Sequence, residues 1–436
     1  MRKSLLFGFL LIAAVTSCLA QGRTAKKKDS SPRKTIVLAD AVYRDAIRSV
    51  QLFAKANEFL TPAIALGTEE KLTLKFDDLA GGFTTYSYTF MHCNANWEQS
   101  SIFETQFMDG FFQNEIQNYK YAVNTRQTYT SYALDFPNSF IKFTASGNYV
   151  LFVYENGNKS KPVLTRRFFV YEPLASVESE LRRSFTAGSI QTNQSLDLKV
   201  TPSPSLKVFN PLSEFLLTVQ QNRRWDQATA DVTPNLMDQK TLLYTFNDRL
   251  NFPAMNEFRQ FDTRSLGINS LNVRKFLVDS ANQIFLYDDA SRASQPYNNY
   301  FDINGSFACV QRDGLITSRD PDYAYVHFTL NTQGRVLEGD VFLMGALTNW
   351  QADSTNQMEY NEGCACFHKS LYVKQGYYNY MYGIKKPNSP LVDFTPMEGS
   401  FQGTDNEYNI FVYFRSQIGL YDRLIGFQTL YSNGNH

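Results

Sequence analysis

The residues with the clearest capacity for chemistry are three soft metal ligands at alternating positions, Cys364, Cys366 and His368. Alternate side chains of an extended strand share one face, so both sulfurs and the imidazole would point the same way. Thiolate and imidazole ligands suit zinc or copper, but a closed site requires a fourth ligand. The alternative is a strand whose buried face uses small cysteine side chains.

We expect these cysteines to be free thiols. A bond between Cys364 and Cys366 would be strained, because residues i and i+2 of a strand lie near the upper Cα–Cα limit of about 6.8 Å. Pairing with Cys93 or Cys309 remains an alternative. Four cysteines in so long a chain, once a leader containing Cys18 is removed, do not form a disulfide scaffold.

Other catalytic groups lack the partners that catalysis needs. The chain has four histidines, at positions 92, 327, 368 and 436, but no Gly-x-Ser-x-Gly or His-Glu-x-x-His motif. His327 lies in a strand-like run, where a packed or solvated histidine is expected. The acidic pairs at 77–78 and 288–289 lack a calcium-loop pattern and are expected to be solvated turns. We predict no catalytic residue, no cofactor site, no metal site and no small-molecule substrate.

The N-terminus has the pattern of a secretory signal. Basic residues precede an apolar run at 5–15, followed by small residues up to Ala20. The run is shorter than the roughly 20 residues that span a bilayer. We predict a signal peptide at 1–20, cleaved after Ala20, and no transmembrane span. Lipidation of Cys18 is the alternative and would anchor the protein.

Composition favours strands and excludes a nucleic-acid partner. Aromatic residues make up 15% of the chain, with 26 Tyr and 36 Phe, and such residues prefer β-sheets. There are 42 basic and 42 acidic residues. Removal of Arg2 and Lys3 leaves 40 against 42, without the basic surplus of nucleic-acid-binding proteins. The polar stretch 21–34 has no apolar periodicity and is predicted to be a disordered basic lead.

The remaining chain is dominated by strand patterns. Leu72, Leu74 and Phe76 alternate with polar residues, which is the period of a half-buried strand. Similar strands recur between turn residues, without a competing helical repeat. We predict an all-β fold of tandem immunoglobulin-like β-sandwich domains. Their limits are an N-terminal sandwich at 35–173, a middle β domain at 174–301 and a C-terminal sandwich at 302–436.

The C-terminal region resembles early-set immunoglobulin domains, including glycogen-binding modules. Residues 341–350 match the strand and turn that open such domains, and 377–382 match a later aromatic strand. In a sugar-binding module Trp350 would be an exposed stacking platform, whereas we expect it to cap the core. Gly345, Ala346 and Leu347 replace the polar turn common in those modules. These two points weigh against sugar binding, and a carbohydrate-binding protein is kept as the alternative function because of the resemblance to glycogen-binding modules.

A set of motifs in a fixed order is more specific and resembles the type IX secretion plug protein family across about 50–426. The motifs are Asn256-Glu257-Phe258-Arg259-Gln260-Phe261-Asp262, Val326-His327-Phe328-Thr329-Leu330, Glu398-Gly399-Ser400-Phe401, Asn406-Glu407-Tyr408, Val412-Tyr413-Phe414-Arg415 and Tyr421-Asp422-Arg423-Leu424-Ile425-Gly426.

The resemblance implies a non-enzymatic protein of the periplasm, at the inner face of the outer membrane. Its partner would be the outer-membrane type IX translocon barrel, whose periplasmic mouth it would close. Tyr, Trp and Arg dominate interface energies, so we expect contacts in the polar-aromatic loops 297–301 and 222–225.

Overall fold

Antiparallel strands form almost all of the regular structure in the residues that the computed structural model describes, which are 35–266, 270–311, 319–332, 334 and 337–433. The predicted signal peptide at 1–20, the lead at 21–34, Cys18 and His436 lie outside these residues. None of the helices in the described ranges is long and apolar enough to cross a membrane. The predicted all-β class with tandem sandwiches is confirmed.

The N-terminal module packs two sheets face to face. One has the order β1-β12-β11-β5-β7, with β3 parallel to β12, and the other has the order β2-β4-β9-β8. Its elements are β1 (Ala41–Val42), β2 (Ile47–Ala54), β3 (Ala63–Ala65), β4 (Leu72–Asp78), β5 (Tyr86–Cys93), α1 (Glu104–Phe107), β6 (Met108–Gly110), β7 (Asn114–Glu115), β8 (Asn118–Tyr121), β9 (Thr130–Phe136), β10 (Ile141–Phe143), β11 (Gly147–Glu155) and β12 (Pro162–Tyr171). The predicted inward residues Leu72, Leu74 and Phe76 are buried in the shared core.

The middle module begins with a five-stranded sheet, in which β14 pairs with β13, β18 and β19. Strand β15 starts a second sheet with β16. The elements are β13 (Ala175–Arg183), β14 (Asn193–Pro202), α2 (Pro211–Glu214), β15 (Phe215–Gln221), β16 (Thr229–Val232), β17 (Leu236–Asp238), β18 (Thr241–Tyr244), a 3-10 turn (Asp248–Leu250) and β19 (Asn251–Pro253).

The C-terminal module is also a pair of sheets around an aromatic core. Strand β29 pairs with β20, β24, β26 and β30, and the facing sheet has the order β21-β22-β25-β28-β27. The elements are β20 (Arg259–Asp262), β21 (Val273–Val278), β22 (Asn282–Leu286), β23 (Asp289–Ala290), β24 (Phe307–Ala308), β25 (Tyr323–Asn331), β26 (Asp340–Met344), a 3-10 turn (Ala346–Thr348), β27 (Glu359–Asn361), β28 (Cys366–Lys374), β29 (Tyr377–Lys385), β30 (Val392–Asp393) and α3 (Thr395–Glu398).

The last two strands return to the middle module. Strand β31 (Glu407–Phe414) pairs along its length with β15, and β32 (Arg423–Tyr431) pairs with β31. The predicted limits 174–301 and 302–436 therefore do not follow the sheets, because the middle sandwich is completed by 407–431. Local periodicity shows that a segment is a strand, but it carries no information about a partner almost 200 residues away.

The sheet β16-β15-β31-β32 is buried on both faces. One face shares a core with β14 and β18, and the other packs on the outer face of the N-terminal sheet through Phe411, Tyr413 and Phe169. Every residue of β31 is buried as a result. A strand covered on both sides is expected to be apolar at successive positions instead of alternating, as 410–414 are.

Removal of β31 and β32 is expected to unfold the middle module. A chain that ends at Gly403 loses the central strand partner of β15 and the buried side chains of Tyr408, Ile410, Val412 and Phe414. Loss of one buried aliphatic side chain to Ala costs about 2–5 kcal/mol, which for several exceeds the stability of a typical domain. Hydrogen exchange should show unprotected amides in β15.

A chain that ends at Tyr431 serves as the control and should keep β15 protected. Protection of β15 in the shorter chain would contradict the strand assignment. Independent folding of 302–436 would support the division predicted from sequence.

Candidate functional site

The predicted contact loop 222–225 is a buried junction between the three modules and not a surface loop. Asn222 and Arg224 are each 1% exposed. Asn222 and Arg223 both have a left-handed backbone, with φ of 49° and 58°, which turns the chain sharply after β15. The expectation that this loop is available to a partner is wrong, because its side chains are used inside the protein.

Arg223 connects all three modules. Its guanidinium forms two hydrogen bonds with Glu407, Nε to Oε1 at 2.9 Å and Nη2 to Oε2 at 2.7 Å. It also donates to the carbonyl of Phe59 in the N-terminal module and to the hydroxyl of Ser306 in the C-terminal module. Thr61 donates to Glu407 at 3.2 Å. One buried ion pair is therefore shared by segments distant in sequence.

Burial alone would raise the pKa of Glu407, but Arg223 and the hydrogen bonds from Asn409 and Thr61 hold that pKa below its usual value. The carboxylate is 1% exposed and the guanidinium 22%. Charges removed from water in this way are costly unless paired. The junction is stable only while both partners are present.

An aromatic cluster extends the junction between the N-terminal and middle modules. Trp225 packs on Trp97 at 5.0 Å and on Phe169 at 5.8 Å between ring centroids. The guanidinium of Arg167 lies 4.1 Å from the Trp97 ring and 5.1 Å from the Trp225 ring. Burial lowers the pKa of Arg167 to about 10. Cation–π contacts with two rings offset part of this desolvation.

Trp350 occupies the junction of the middle and C-terminal modules. Its ring packs edge-on against Phe258 at 5.8 Å, and the Arg224 guanidinium lies 5.2 Å from it. The side chain is half-buried. The prediction that Trp350 packs against the core agrees with this position, and an exposed sugar-stacking platform does not.

A cavity of about 270 Å³ lies beside the junction. Its lining includes Arg166, Arg167, Arg223 and Trp350. These cations already have partners: Arg166 donates to the carbonyls of Ala41 and Thr165 and to Asn349. The cavity lies between modules, and the guanidinium groups that line it are already hydrogen-bonded within the protein.

Two of the ordered motifs meet in a second buried ion network. Glu398 is fully buried and accepts hydrogen bonds from Arg259 at 3.0 Å and from Arg292 at 2.6 Å. Arg259 also pairs with Asp289 at 2.7 Å. Burial would raise the pKa of Glu398, but the two guanidinium groups keep it below the usual value. These motif residues therefore hold strands together.

Three of the four acidic residues in the two pairs, Asp77, Asp78 and Asp289, contradict the expectation of solvated turns. Asp77 and Asp78 are 3% and 1% exposed. Asp77 accepts from Lys374 at 2.7 Å and from Tyr323 at 2.6 Å, which joins the N-terminal to the C-terminal module. Asp289 is in the Arg259 network, and only Asp288 of that pair is well exposed. Asp77 lies at the end of a strand that packs against another module, and this packing excludes water from its carboxylate.

The cysteine expectation is wrong for one pair. Cys364 and Cys366 form a disulfide, with Cα atoms 5.2 Å apart. Cys364 lies in the turn before β28, and Ala365 has φ of 51°, so the two residues are not consecutive positions of one extended face. Cys93 and Cys309 are free, and burial raises the pKa of these thiols to about 12 and about 11.

The described histidines have structural partners. His92 contacts the hydroxyl of Ser100 at 2.7 Å and the carbonyl of Ser146 at 3.1 Å, and burial lowers its pKa to about 4. His327 stacks on Phe285 at 4.3 Å, as expected for a packed strand histidine. His368 lies beside the disulfide.

A compact group of three exposed aromatic side chains lies at a sheet edge of the N-terminal module. Phe83, Tyr119 and Tyr121 are 55%, 41% and 51% exposed. Phe83 contacts Tyr119 at 4.8 Å, and Tyr119 contacts Tyr121 at 5.7 Å. Tyr119 and Tyr121 belong to β8, whose only sheet partner among the described strands is β9. We call these three residues the aromatic edge. Exposed apolar groups on an edge strand are typical of contact sites.

The other predicted contact loop, 297–301, is only partly available. Tyr297 donates to the carboxylate of Glu257, and Tyr300 bonds with Arg292 at 2.5 Å. Phe301 remains 71% exposed. The aromatic edge was missed from the sequence, although its alternating Tyr residues beside a turn were visible there. The Arg166-Arg167 pair inside an apolar strand was a comparable sign of a buried junction.

Replacement of Arg223 by Ala is expected to destabilise the fold by about 3–5 kcal/mol at neutral pH, because Glu407 is left buried and unpaired. The native pair stabilises above the unfolded-state pKa of about 4.3, and this stability is lost as pH falls through the lower folded-state pKa. In the variant, burial raises the pKa of Glu407, so the deficit should shrink as pH falls. Urea unfolding at about pH 7 and about pH 4.5 measures both effects.

The matched control is Arg274→Ala, which breaks an ion pair whose partners are both 50% exposed. Such pairs contribute at most about 1 kcal/mol. Equal losses in the two variants, or a deficit independent of pH, would contradict the assigned role of Arg223.

The chain is similar to known proteins in both sequence and structure. The model of the Type 9 secretion system plug protein 1st domain matches residues 47–172, which run from the start of β2 to just past β12. A crystal structure of a hypothetical protein from Parabacteroides merdae superposes with a TM-score of 0.87 at 30% identity, covering 91% of this chain and 100% of that chain. No functionally curated protein matches. The chain therefore belongs to the type IX secretion system plug protein family.

Proposed function

We propose that this protein is a non-enzymatic plug that binds the periplasmic mouth of the type IX outer-membrane translocon barrel and closes its pore. It acts in the periplasm, at the inner face of the outer membrane. Family membership supports the association with the secretion system. The observation that carries the proposal is the junction around Arg223, which joins three modules into a single body.

A plug must resist deformation, because it works by filling space. The modules here are joined by the hydrogen bonds of Arg223 to Phe59 and Ser306, by the Lys374–Asp77 ion pair and by the aromatic cluster around Trp225. Separation of the modules would break these contacts and expose the rings of Trp97, Trp225 and Phe169 to water, which is unfavourable for apolar surface. The sandwiches therefore move together, and a shape wider than one domain is maintained.

The residues do not support a catalytic role in its place. The buried carboxylates Glu407 and Glu398 are occupied by guanidinium groups. His92 and His327 are bonded at both ring nitrogens. These carboxylates and imidazoles have the partners of structural ion pairs and packed side chains, which agrees with a protein that acts by contact.

We assign the barrel contact to the aromatic edge. Large aromatic side chains supply binding energy at low conformational cost, and Phe83, Tyr119 and Tyr121 already contact one another before binding. The chain has equal numbers of basic and acidic residues, so the grip should depend on apolar contact more than on net charge. Binding is accordingly expected to change little with salt.

The carbohydrate-binding alternative has less support. It requires an accessible stacking ring, and Trp350 is packed between Phe258 and Arg224. The adjacent cavity is bordered by guanidinium groups that donate to backbone carbonyls. Retention on polysaccharide without the barrel would favour this alternative.

The double variant Phe83→Ala, Tyr121→Ala is expected to bind the barrel much more weakly. A hot-spot aromatic contributes about 2 kcal/mol, so loss of one such contact weakens affinity about 30-fold. Co-purification from native membranes and titration onto the isolated barrel measure this. Folding is verified by the unchanged unfolding midpoint.

The control is Phe185→Ala, Phe246→Ala, which removes an exposed aromatic pair from the middle module, with rings 6.0 Å apart. Normal binding by the first variant and weak binding by the control would move the contact to the middle module. Normal binding by both would exclude each surface.

Deletion of the gene is expected to make the outer membrane leaky to large solutes, because the barrel pore is left open. Uptake of a large antibiotic or dye measures the leak. Wild-type protein should restore the barrier, and Phe83→Ala, Tyr121→Ala should not. An impermeable deletion strain with normal secretion would refute the plug function.

A further inference from the structure

A hairpin end in the C-terminal module brings two sulfurs and an imidazole together. Strand β27 pairs with β28, and Cys364 lies in the turn between them. The Sγ atoms of Cys364 and Cys366 lie 3.3 Å and 2.9 Å from Nε2 of His368. All three ligand atoms lie within 4.8 Å of one another. Neither the family nor the proposed plug function assigns a role to this group.

The backbone builds this arrangement. The left-handed conformation of Ala365, with φ of 51°, reverses the chain so that both cysteine side chains lie on one side. Asn361 accepts the backbone N–H of Gly363 at 2.9 Å and closes the turn. His368 lies farther along β28, opposite Thr329 of β25. The turn and the sheet therefore place all three side chains at one end of the hairpin.

The imidazole is oriented by the neighbouring strand. Its Nδ1 lies 3.1 Å from the hydroxyl of Thr329. When Nδ1–H donates to that oxygen, the lone pair of Nε2 faces the two sulfurs. A hydrogen bond to the second ring nitrogen is the usual support of a metal-binding histidine.

We propose that this hairpin end is a reduction-dependent zinc site, in which Cys364 and Cys366 as thiolates and His368 through Nε2 bind one Zn²⁺. Two thiolates and an imidazole are typical zinc ligands, and three protein ligands leave the fourth position to solvent. The disulfide form cannot bind in this way, since its sulfurs are neutral. The oxidation state of the pair therefore decides whether metal is held.

The chemistry balances with a dithiol as reductant. A thiolate of the reductant attacks one sulfur, the S–S bond breaks, and the second reductant thiol completes the exchange. The cysteine pair gains two electrons and two protons, and the reductant becomes a disulfide. Zinc then displaces the two thiol protons. Cys364 is exposed and Cys366 is 3% exposed, so the reductant reaches the Cys364 side.

Zinc binding requires the two sulfurs to separate after reduction. Tetrahedral Zn–S bonds of about 2.3 Å place two thiolate sulfurs about 3.8 Å apart. The distances from Nε2 to the two sulfurs, 3.3 Å and 2.9 Å, need to grow by about 0.3 Å and about 0.7 Å toward about 3.6 Å. Rotation of the exposed Cys364 side chain in the turn provides most of this change.

The test is zinc binding by the full mature protein, after reduction with dithiothreitol and its anaerobic removal. Competition with a chromophoric chelator gives affinity and stoichiometry, and Co²⁺ in place of zinc gives a thiolate charge-transfer absorption. We expect one zinc per reduced chain and none at the same concentration in the oxidised chain. Equal binding by both forms, or no binding by the reduced form, overturns the proposal.

Variants separate this site from other thiols. Cys364→Ser and His368→Gln should each abolish the cobalt absorption or weaken zinc binding by more than tenfold, and Thr329→Val should weaken it about 10–100-fold. Cys309→Ser is the control, because Cys309 is a separate free thiol, and it should bind as the parent does. Loss of binding in the control with retention in Cys364→Ser would place the metal elsewhere.

Discussion

The buried ion pair of Arg223 and Glu407 is the interaction on which the architecture depends. Glu407 opens β31, the strand that completes the middle sandwich, and Arg223 follows β15, its partner. The same guanidinium bonds to Phe59 and Ser306 of the two other modules. A charge at this depth must be paired. The pairing of Arg223 with Glu407 therefore supports both the pairing of β15 with β31 and the placement of the two neighbouring modules.

The same rule operates at the other contacts between modules. Asp77 and Lys374 form one inter-module pair, and Arg167 is held between Trp97 and Trp225. Such pairs add little net stability compared with apolar packing. They do penalise any arrangement that leaves a partner unmatched. Specific orientation of rigid modules is the property that a protein acting by shape requires.

Aromatic residues occur both on the surface and at the junctions between modules. Phe83, Tyr119 and Tyr121 form the aromatic edge and remain exposed, whereas Trp225 and Trp350 pack at the junctions. Residue type alone does not distinguish these cases. Likewise Cys364 and Cys366 are bonded whereas Cys93 and Cys309 are free, because only the turn at Ala365 brings two sulfurs together.

The sequence by itself determined the all-β class, the position of strands such as 72–76 and 410–414, and the family, because strand periodicity and ordered motifs are local properties. Only the tertiary structure decided that β31 belongs to the middle module, that the loop 222–225 and Asp77 are buried, and that Cys364 meets Cys366. Each depends on contacts between distant segments, where burial and charge pairing are set by the partner and not by the neighbouring residues.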